Sequence, residues 1–281
     1  SASTFLGNPT SGEIRKACAE PIEPDYSKLI SRRSIPLLTR SGCPFRCTYC
    51  ASEHIHSKVV TYSPDWVLDQ LARGVPADGV ADVAFFDDAL LLDPERHSKP
   101  IFEGIVRKAL PARFHTPNAL HVRNIDRELA DLMFRAGVRT IRLGLESDDP
   151  EFQRESGGKV TTEEFVKAVE NLRAAGYTAR EIGTYILAGL PGQSLGSIRH
   201  TAEAVHRVGS EIRIALYAPT PKTALFPNTE GLSFDPSLDP LLQNDSLALW
   251  RSALFTSQEF REMRSWIDRL NDLARKGRVA A

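Results

Sequence analysis

Three cysteines, Cys43, Cys47 and Cys50, fall within eight residues of a 281-residue chain that holds four in all. In a chain of this size a pattern so tight speaks for a metal or catalytic centre rather than a disulfide framework. The run Ser41-Gly42-Cys43-Pro44-Phe45-Arg46-Cys47-Thr48-Tyr49-Cys50 is short enough for its three thiolates to converge on one centre. Three thiolates on a four-iron cluster leave one iron without a protein ligand, and such an iron is open to chemistry rather than to electron carriage alone. A second reading stays open: His54 completes a Cys₃His set of the kind that closes a structural zinc tetrahedron. Cys18 stands alone and reads as a small apolar side chain or a spare thiol.

The loop must be held by regular elements, and their order is legible. Ile35-Pro36-Leu37-Leu38-Thr39 is a short strand running into the cysteines, and Ser63-Pro64 is a helix start. Further strands are expected at Val83–Phe86, Arg113–Thr116, Thr140–Leu145, Gly183–Leu187 and Ile212–Tyr217. Between them, helices begin near Pro94, Asp126, Thr161 and Ser197, several closed by glycines at Gly137, Gly176 and Gly209. Thr161-Thr162-Glu163-Glu164 forms a capping box. Strands alternating with helices imply a parallel sheet with right-handed crossovers, whose chemistry sits at the carboxyl ends of its strands. The fold class is therefore α/β, a partial (βα)₆ TIM-like barrel. Residues 1–33 read as an N-terminal arm, 34–223 as the barrel, and 224–281 as a loop with a helical extension over roughly 245–276.

Composition narrows the function. With 42% hydrophobic and 25% charged residues the chain can bury a large core. A net charge of -1 removes the electrostatic footprint of a general nucleic-acid binder and favours a small-molecule or peptide substrate. No apolar run approaches the ~20 residues that cross a bilayer, and no signal segment opens the chain, so a cytoplasmic protein without a membrane partner is expected. The chain begins with Ser1, and a fragment of a longer protein is one reading of that. The histidines are scattered without ligand spacing, and no phosphate-binding glycine loop or zinc-protease helix is present.

Cys43-x₃-Cys47-x₂-Cys50, with Tyr49 before the last cysteine, resembles the signature of the radical S-adenosylmethionine (SAM) superfamily, and the resemblance runs from about Ile35 to Thr223. It implies a [4Fe-4S] cluster held by those cysteines, whose remaining iron chelates SAM. Reductive cleavage of SAM would yield a 5′-deoxyadenosyl radical for hydrogen abstraction or methyl transfer, with electrons from a flavodoxin or ferredoxin. By the same resemblance Asp87 and Asp88 stand where the SAM amino group is held, in place of the commoner Gly-Gly-Glu. Glu146 and Ser147 stand where polar parts of SAM are met. Tyr49, Leu190 and Pro191, the last two in Gly189-Leu190-Pro191-Gly192-Gln193, would flank adenine. Asn118 would face the SAM pocket, and Lys159 would meet the SAM carboxylate. No catalytic residue beyond the cluster ligands is singled out. Pro24-Asp25-Tyr26 looks like the linker that follows a cobalamin domain in B12-dependent members, so cobalamin is an expected cofactor only with an upstream domain. No Asp-x-His-x-x-Gly segment precedes the barrel. Two other readings stay open, a non-enzymatic iron-sulfur redox sensor or scaffold and the zinc site.

Overall fold

The computed structural model describes residues 23–226, apart from 57 and 78, and residues 255–278. Cys18, the first part of the expected arm and the start of the expected tail helix lie outside them.

Six strands form one parallel sheet: β1 (Ser34–Leu37), β4 (Ala81–Phe85), β5 (Ala112–His115), β6 (Val138–Glu146), β7 (Ile182–Ala188) and β8 (Glu211–Leu216). They lie side by side in that order, every pairing parallel. Two further strands, β2 (Arg40–Ser41) and β3 (Val60–Thr61), make a separate antiparallel pair. Parallel neighbours cannot be joined by tight turns, so helices carry the chain back. These are α2 (Pro64–Gly74), α3 (Ser98–Lys108), α4 (Arg127–Arg135), α6 (Thr162–Ala174) and α7 (Leu195–Arg207), with the short α1 (Ser52–Ile55) and α5 (Pro150–Glu155) in loops. The sheet is a partial barrel of the expected kind, not a closed one.

The local signals act as their chemistry requires. Ser63 accepts from the Trp66 amide with Pro64 in the first turn, and Thr161 and Glu164 complete the capping box of α6. Gly137, Gly176 and Gly209 all take positive φ, the conformation in which glycine avoids a Cβ clash. Two starts differ from expectation. The helix placed near Ser197 begins at Leu195 because Ser194 is its cap. The helix placed near Pro94 begins at Ser98, because Asp93 turns the chain at φ +51° and residues 94–97 form a turn first. Apolar faces of the helices and outward strand positions such as Val83, Phe114, Ile141 and Ile186 build one core.

Both sheet edges receive side-chain attention. Helix α8 (Ser257–Arg275) packs on β8, and the Asn271 side chain accepts from the Ile212 N–H at 2.7 Å and donates to the Ile212 carbonyl at 3.0 Å. The expected C-terminal helix thus gives the last strand a substitute ladder partner on its outer side. At the other edge, Asp87 follows β4 and turns its carboxyl toward the end of β1, accepting from the Thr39 amide at 3.1 Å and hydroxyl at 2.6 Å.

Burial pushes the Asp87 carboxyl up to about 7, against the pull of its bonds to Thr39. The folded state then binds a proton that the unfolded chain has already released at a pKa of about 3.9. Stability therefore falls as pH rises from about 4 to about 7, at no more than about 1.4 kcal/mol per pH unit. Asp87→Asn keeps the shape and should flatten that part of the curve; urea unfolding at pH 4, 5.5 and 7 measures it, and an unchanged slope would remove Asp87 as its source.

Candidate functional site

The cysteine loop is pinned at its base and on its flank. β2 and β3 pair Arg40 with Thr61 and Ser41 with Val60, which pinches the two ends of segment 42–59 together. Gly42 sits in that neck at φ +80°, where a Cβ would lie 2.8 Å from the Lys58 carbonyl oxygen. Within the loop the Cys50 amide donates to the Cys47 carbonyl at 3.0 Å. On the flank the Thr48 amide donates to the Ser156 carbonyl, and the Thr48 carbonyl accepts from the Leu225 amide. Gly157 lies against the loop backbone, and a Cβ there would stand 3.0 Å from the Arg46 carbonyl oxygen and 3.2 Å from the Cys47 Cα.

The three cysteines line a cavity of about 380 Å³ at the carboxyl ends of the strands, with Asp88, Asn118, His121, Glu146, Lys159 and Tyr185. At its heart is an ion pair: Lys159 Nζ lies 2.9 Å from Glu146 Oε1, with side chains 11% and 10% exposed. Burial pulls the Lys159 ammonium down, but Glu146 and then Cys47 outweigh it and hold the amine above its ordinary range. Burial pushes the Cys43 and Cys47 thiols up, and for Cys47 the Lys159 charge opposes it. Glu146 reaches this place through an irregular strand end. The β6–β7 register shifts between Gly144 and Glu146, and Glu146 adopts φ +66°, a region costly for a side chain with a Cβ. Gly144 makes room, since a Cβ there would sit 2.8 Å from Glu146 Oε1 and 2.9 Å from Lys159 Nζ.

The donor set suits a cluster better than a single ion. A zinc tetrahedron with bonds of about 2.3 Å holds its sulfurs within about 4 Å of one another. The three cysteine sulfurs do not gather within 4.8 Å, and among the described residues the group that does is Glu95, Asp126 and Glu128, which surrounds the Lys99 ammonium. His54 is directed to Glu53 and does not line the cavity, so the Cys₃His set is not assembled. A four-iron cube spreads its ligands more widely, and the half-buried thiols around an open cavity fit it.

Tyr49, Asp88, Asn118, Glu146 and Lys159 come together with the cysteines, whereas Asp87, Ser147, Leu190 and Pro191 do not line the cavity. Asp87 faces Thr39 behind the strand ends because alternate residues leave a strand on opposite sides. Asn118 ties strand ends together by donating to the Phe86 carbonyl at 2.9 Å. Ser147 serves the next turn: its carbonyl accepts from Gln153 and its hydroxyl from the Asp149 amide. Leu190 is buried with Leu187 and Tyr217, a cluster on which Tyr49 and Phe152 pack, so it stands one layer behind Tyr49. Pro191 belongs to a turn folded by Gln193, whose side chain accepts from the Gly189 and Leu190 amides and donates to the Leu187 carbonyl.

Sequence reasoning passed over His121 and Tyr185. His121 lies 3.8 Å by Nε2 from Cys43 Sγ and packs on Phe45 at 4.7 Å between ring centres. Burial, with Lys159 nearby, pushes its pKa down to about 3, so the ring is neutral. Its one sequence cue is its place three residues after Asn118. Tyr185 donates to the Pro117 carbonyl at 3.1 Å and floors the cavity.

Lys159→Met strands the Glu146 carboxylate in a buried place and should cost about 3–5 kcal/mol, while Lys159→Met with Glu146→Leu should recover most of it. Urea unfolding of the metal-free protein reads both; a double variant as unstable as the single one would mean the pair is not the coupling.

Comparison with known proteins gives the chain a family. The Radical SAM superfamily model matches residues 38–205. An uncharacterized methyltransferase from Pyrococcus horikoshii is 23% identical over 192 residues, which are 68% of this chain and 40% of that protein. The cytidylyl-2-hydroxyethylphosphonate methyltransferase of Streptomyces wedmorensis is 26% identical over 53% of this chain and 27% of its own length. Among solved structures, the radical SAM methyltransferase TsrM from Kitasatospora setae superposes with a TM-score of 0.58 at 23% identity, over 69% of this chain and 38% of TsrM. The chain thus spans about two fifths or less of the length of these relatives. With the family match covering more than half of its residues, the chain belongs to the radical SAM superfamily.

Proposed function

We propose that this chain is the catalytic barrel of a radical SAM enzyme. In this reading Cys43, Cys47 and Cys50 hold a [4Fe-4S] cluster and SAM occupies the adjoining cavity. The observation that carries it is the arrangement of three half-buried thiols around an open cavity whose other walls offer a cation, carboxylates and amides. When bound, the cluster supplies the electron that cleaves SAM to a 5′-deoxyadenosyl radical.

The protein's own groups orient and enclose. Asp88 offers a carboxylate to an ammonium, and Asn118 a side-chain amide already fixed by strand-end carbonyls. Lys159 neutralises thiolate charge and offers a donor to a carboxylate. Tyr49, backed by Leu190 and Phe152, gives an apolar wall suited to a flat base. The reaction is hydrogen abstraction or methyl transfer on a small molecule or peptide, with electrons from a flavodoxin or ferredoxin. Methyltransferase names among the relatives support the methyl-transfer branch, and cobalamin joins it only through a domain outside this chain.

Anaerobic reconstitution with iron and sulfide tests the proposal. A brown protein is expected whose colour bleaches with dithionite, and whose incubation with SAM gives 5′-deoxyadenosine by chromatography. Cys43→Ala, Cys47→Ala and Cys50→Ala should each abolish the cluster spectrum. A colourless zinc-loaded protein, or a cluster that neither binds nor cleaves SAM, would overturn it, the second outcome favouring a redox sensor or scaffold.

A further inference from the structure

At the opposite rim from the cysteines lies a cavity of about 580 Å³ lined by Arg139, Arg142, Arg180, Arg213 and Arg275, with Glu181 and Glu211. Its residues belong to the first halves of β6 and β8, to the turn before β7 and to the last turn of α8. Five guanidinium groups face two carboxylates there, and both carboxylates are already engaged. Glu211, 1% exposed, is shared by Arg213 and Arg275 at 2.6 Å each. Glu181 accepts from the amide and hydroxyl of Thr178 in its own turn. Arg139 lies over the Phe134 ring, and Arg142 donates to the Ile141 carbonyl. Among the described residues, Arg139, Arg142 and Arg180 have no carboxylate within ion-pair distance.

The strands are shaped to keep this charge in place. Arg142 pairs with Gly183, and Gly183 with Glu211, so the three form one row across the sheet. A Cβ on Gly183 would stand 2.8 Å from Arg142 Nη1 and 3.2 Å from its Cδ, so the missing side chain leaves the space that the guanidinium occupies. The next row on the same strand face is Gly144, Tyr185 and Arg213. Arg213 Nε is buried and has no acceptor among the described residues. Burial and then the Arg213 charge pull Arg142 down from its ordinary pKa, against the Tyr185 hydroxyl and the Glu211 carboxylate, which pull it up.

We propose that this cavity binds a phosphate-bearing small molecule. One carboxylate needs one arginine fork, whereas a tetrahedral oxyanion with two or more charges accepts from several at once. Three guanidinium groups without a carboxylate partner and, among the described residues, an Nε without an acceptor match the second case. The volume lies within the ~300–1,000 Å³ of ordinary small-molecule sites. The site is assembled without iron or SAM: the two cavities share no lining residue, although Tyr185 of the same strand face floors the cysteine cavity.

Isothermal titration calorimetry of the full chain with pyrophosphate and with succinate, at matched ionic strength, tests it. Pyrophosphate should bind at one equivalent, about tenfold or more tighter than succinate. Arg142→Gln and Arg180→Gln should each weaken it about tenfold, since each removes a charge-assisted bond. Arg180 is exposed, so circular dichroism should show Arg180→Gln to be folded even if Arg142→Gln is not. Cys43→Ala should bind pyrophosphate like the parent, which separates this site from the cluster reading. Equal affinity for the two anions, a folded Arg180→Gln with unchanged affinity, or displacement of pyrophosphate by a short oligoribonucleotide at lower concentration would overturn the proposal.

Discussion

Parallel pairing of six strands is the constraint from which the rest follows. A parallel sheet needs a crossover for each new strand, and right-handed helical crossovers send every strand in the same direction. All carboxyl ends then meet at one rim and all amino ends at the other. The cysteine loop, Asp88, Asn118 and Glu146 are neighbours because each follows a different strand, although more than a hundred residues separate the first from the last. The same rule gathers the starts of β6, β7 and β8 with their arginines. One strand face, carrying Gly144, Tyr185 and Arg213 in one row and Arg142, Gly183 and Glu211 in the row below, runs between the two rims.

Much of this was legible before any coordinates. Six strands, their helices and the glycine stops appear in the expected order because each is written in local chemistry: apolar runs, capping hydroxyls, and glycines where φ is positive. The cysteine loop was equally plain, since three thiols in eight residues have few other uses. Less legible was the sorting of adjacent residues. Asp87 and Asp88 look alike in sequence, yet strand alternation sends one to Thr39 and leaves the other at the cavity. Tyr185 gave no local signal and His121 only its place three residues after Asn118, because their importance comes from residues far along the chain. The two-residue strands β2 and β3 are too short for any period to register.

Buried charge follows one pattern throughout. Lys159 with Glu146, and Glu211 with two arginines, are pairs whose desolvation is offset only when both members are in place. Gly144 leaves the space that the first pair fills, and Gly183, next to Glu211 in its row, leaves the space that Arg142 fills. Glycine in a strand interior weakens the strand, and here that loss leaves the space the charged groups use. Strain at Glu146 belongs to the same economy: a left-handed residue at a strand end turns a carboxylate toward the lysine.

The clamp of Asn271 on Ile212 joins residues 59 positions apart. During synthesis β8 therefore leaves the ribosome well before the side chain that completes its outer edge. At roughly 5–20 residues per second, the interval is about 3–12 s. For that time β8 lacks the Asn271 clamp, and the order of translation rather than the finished fold sets how long that partner is missing.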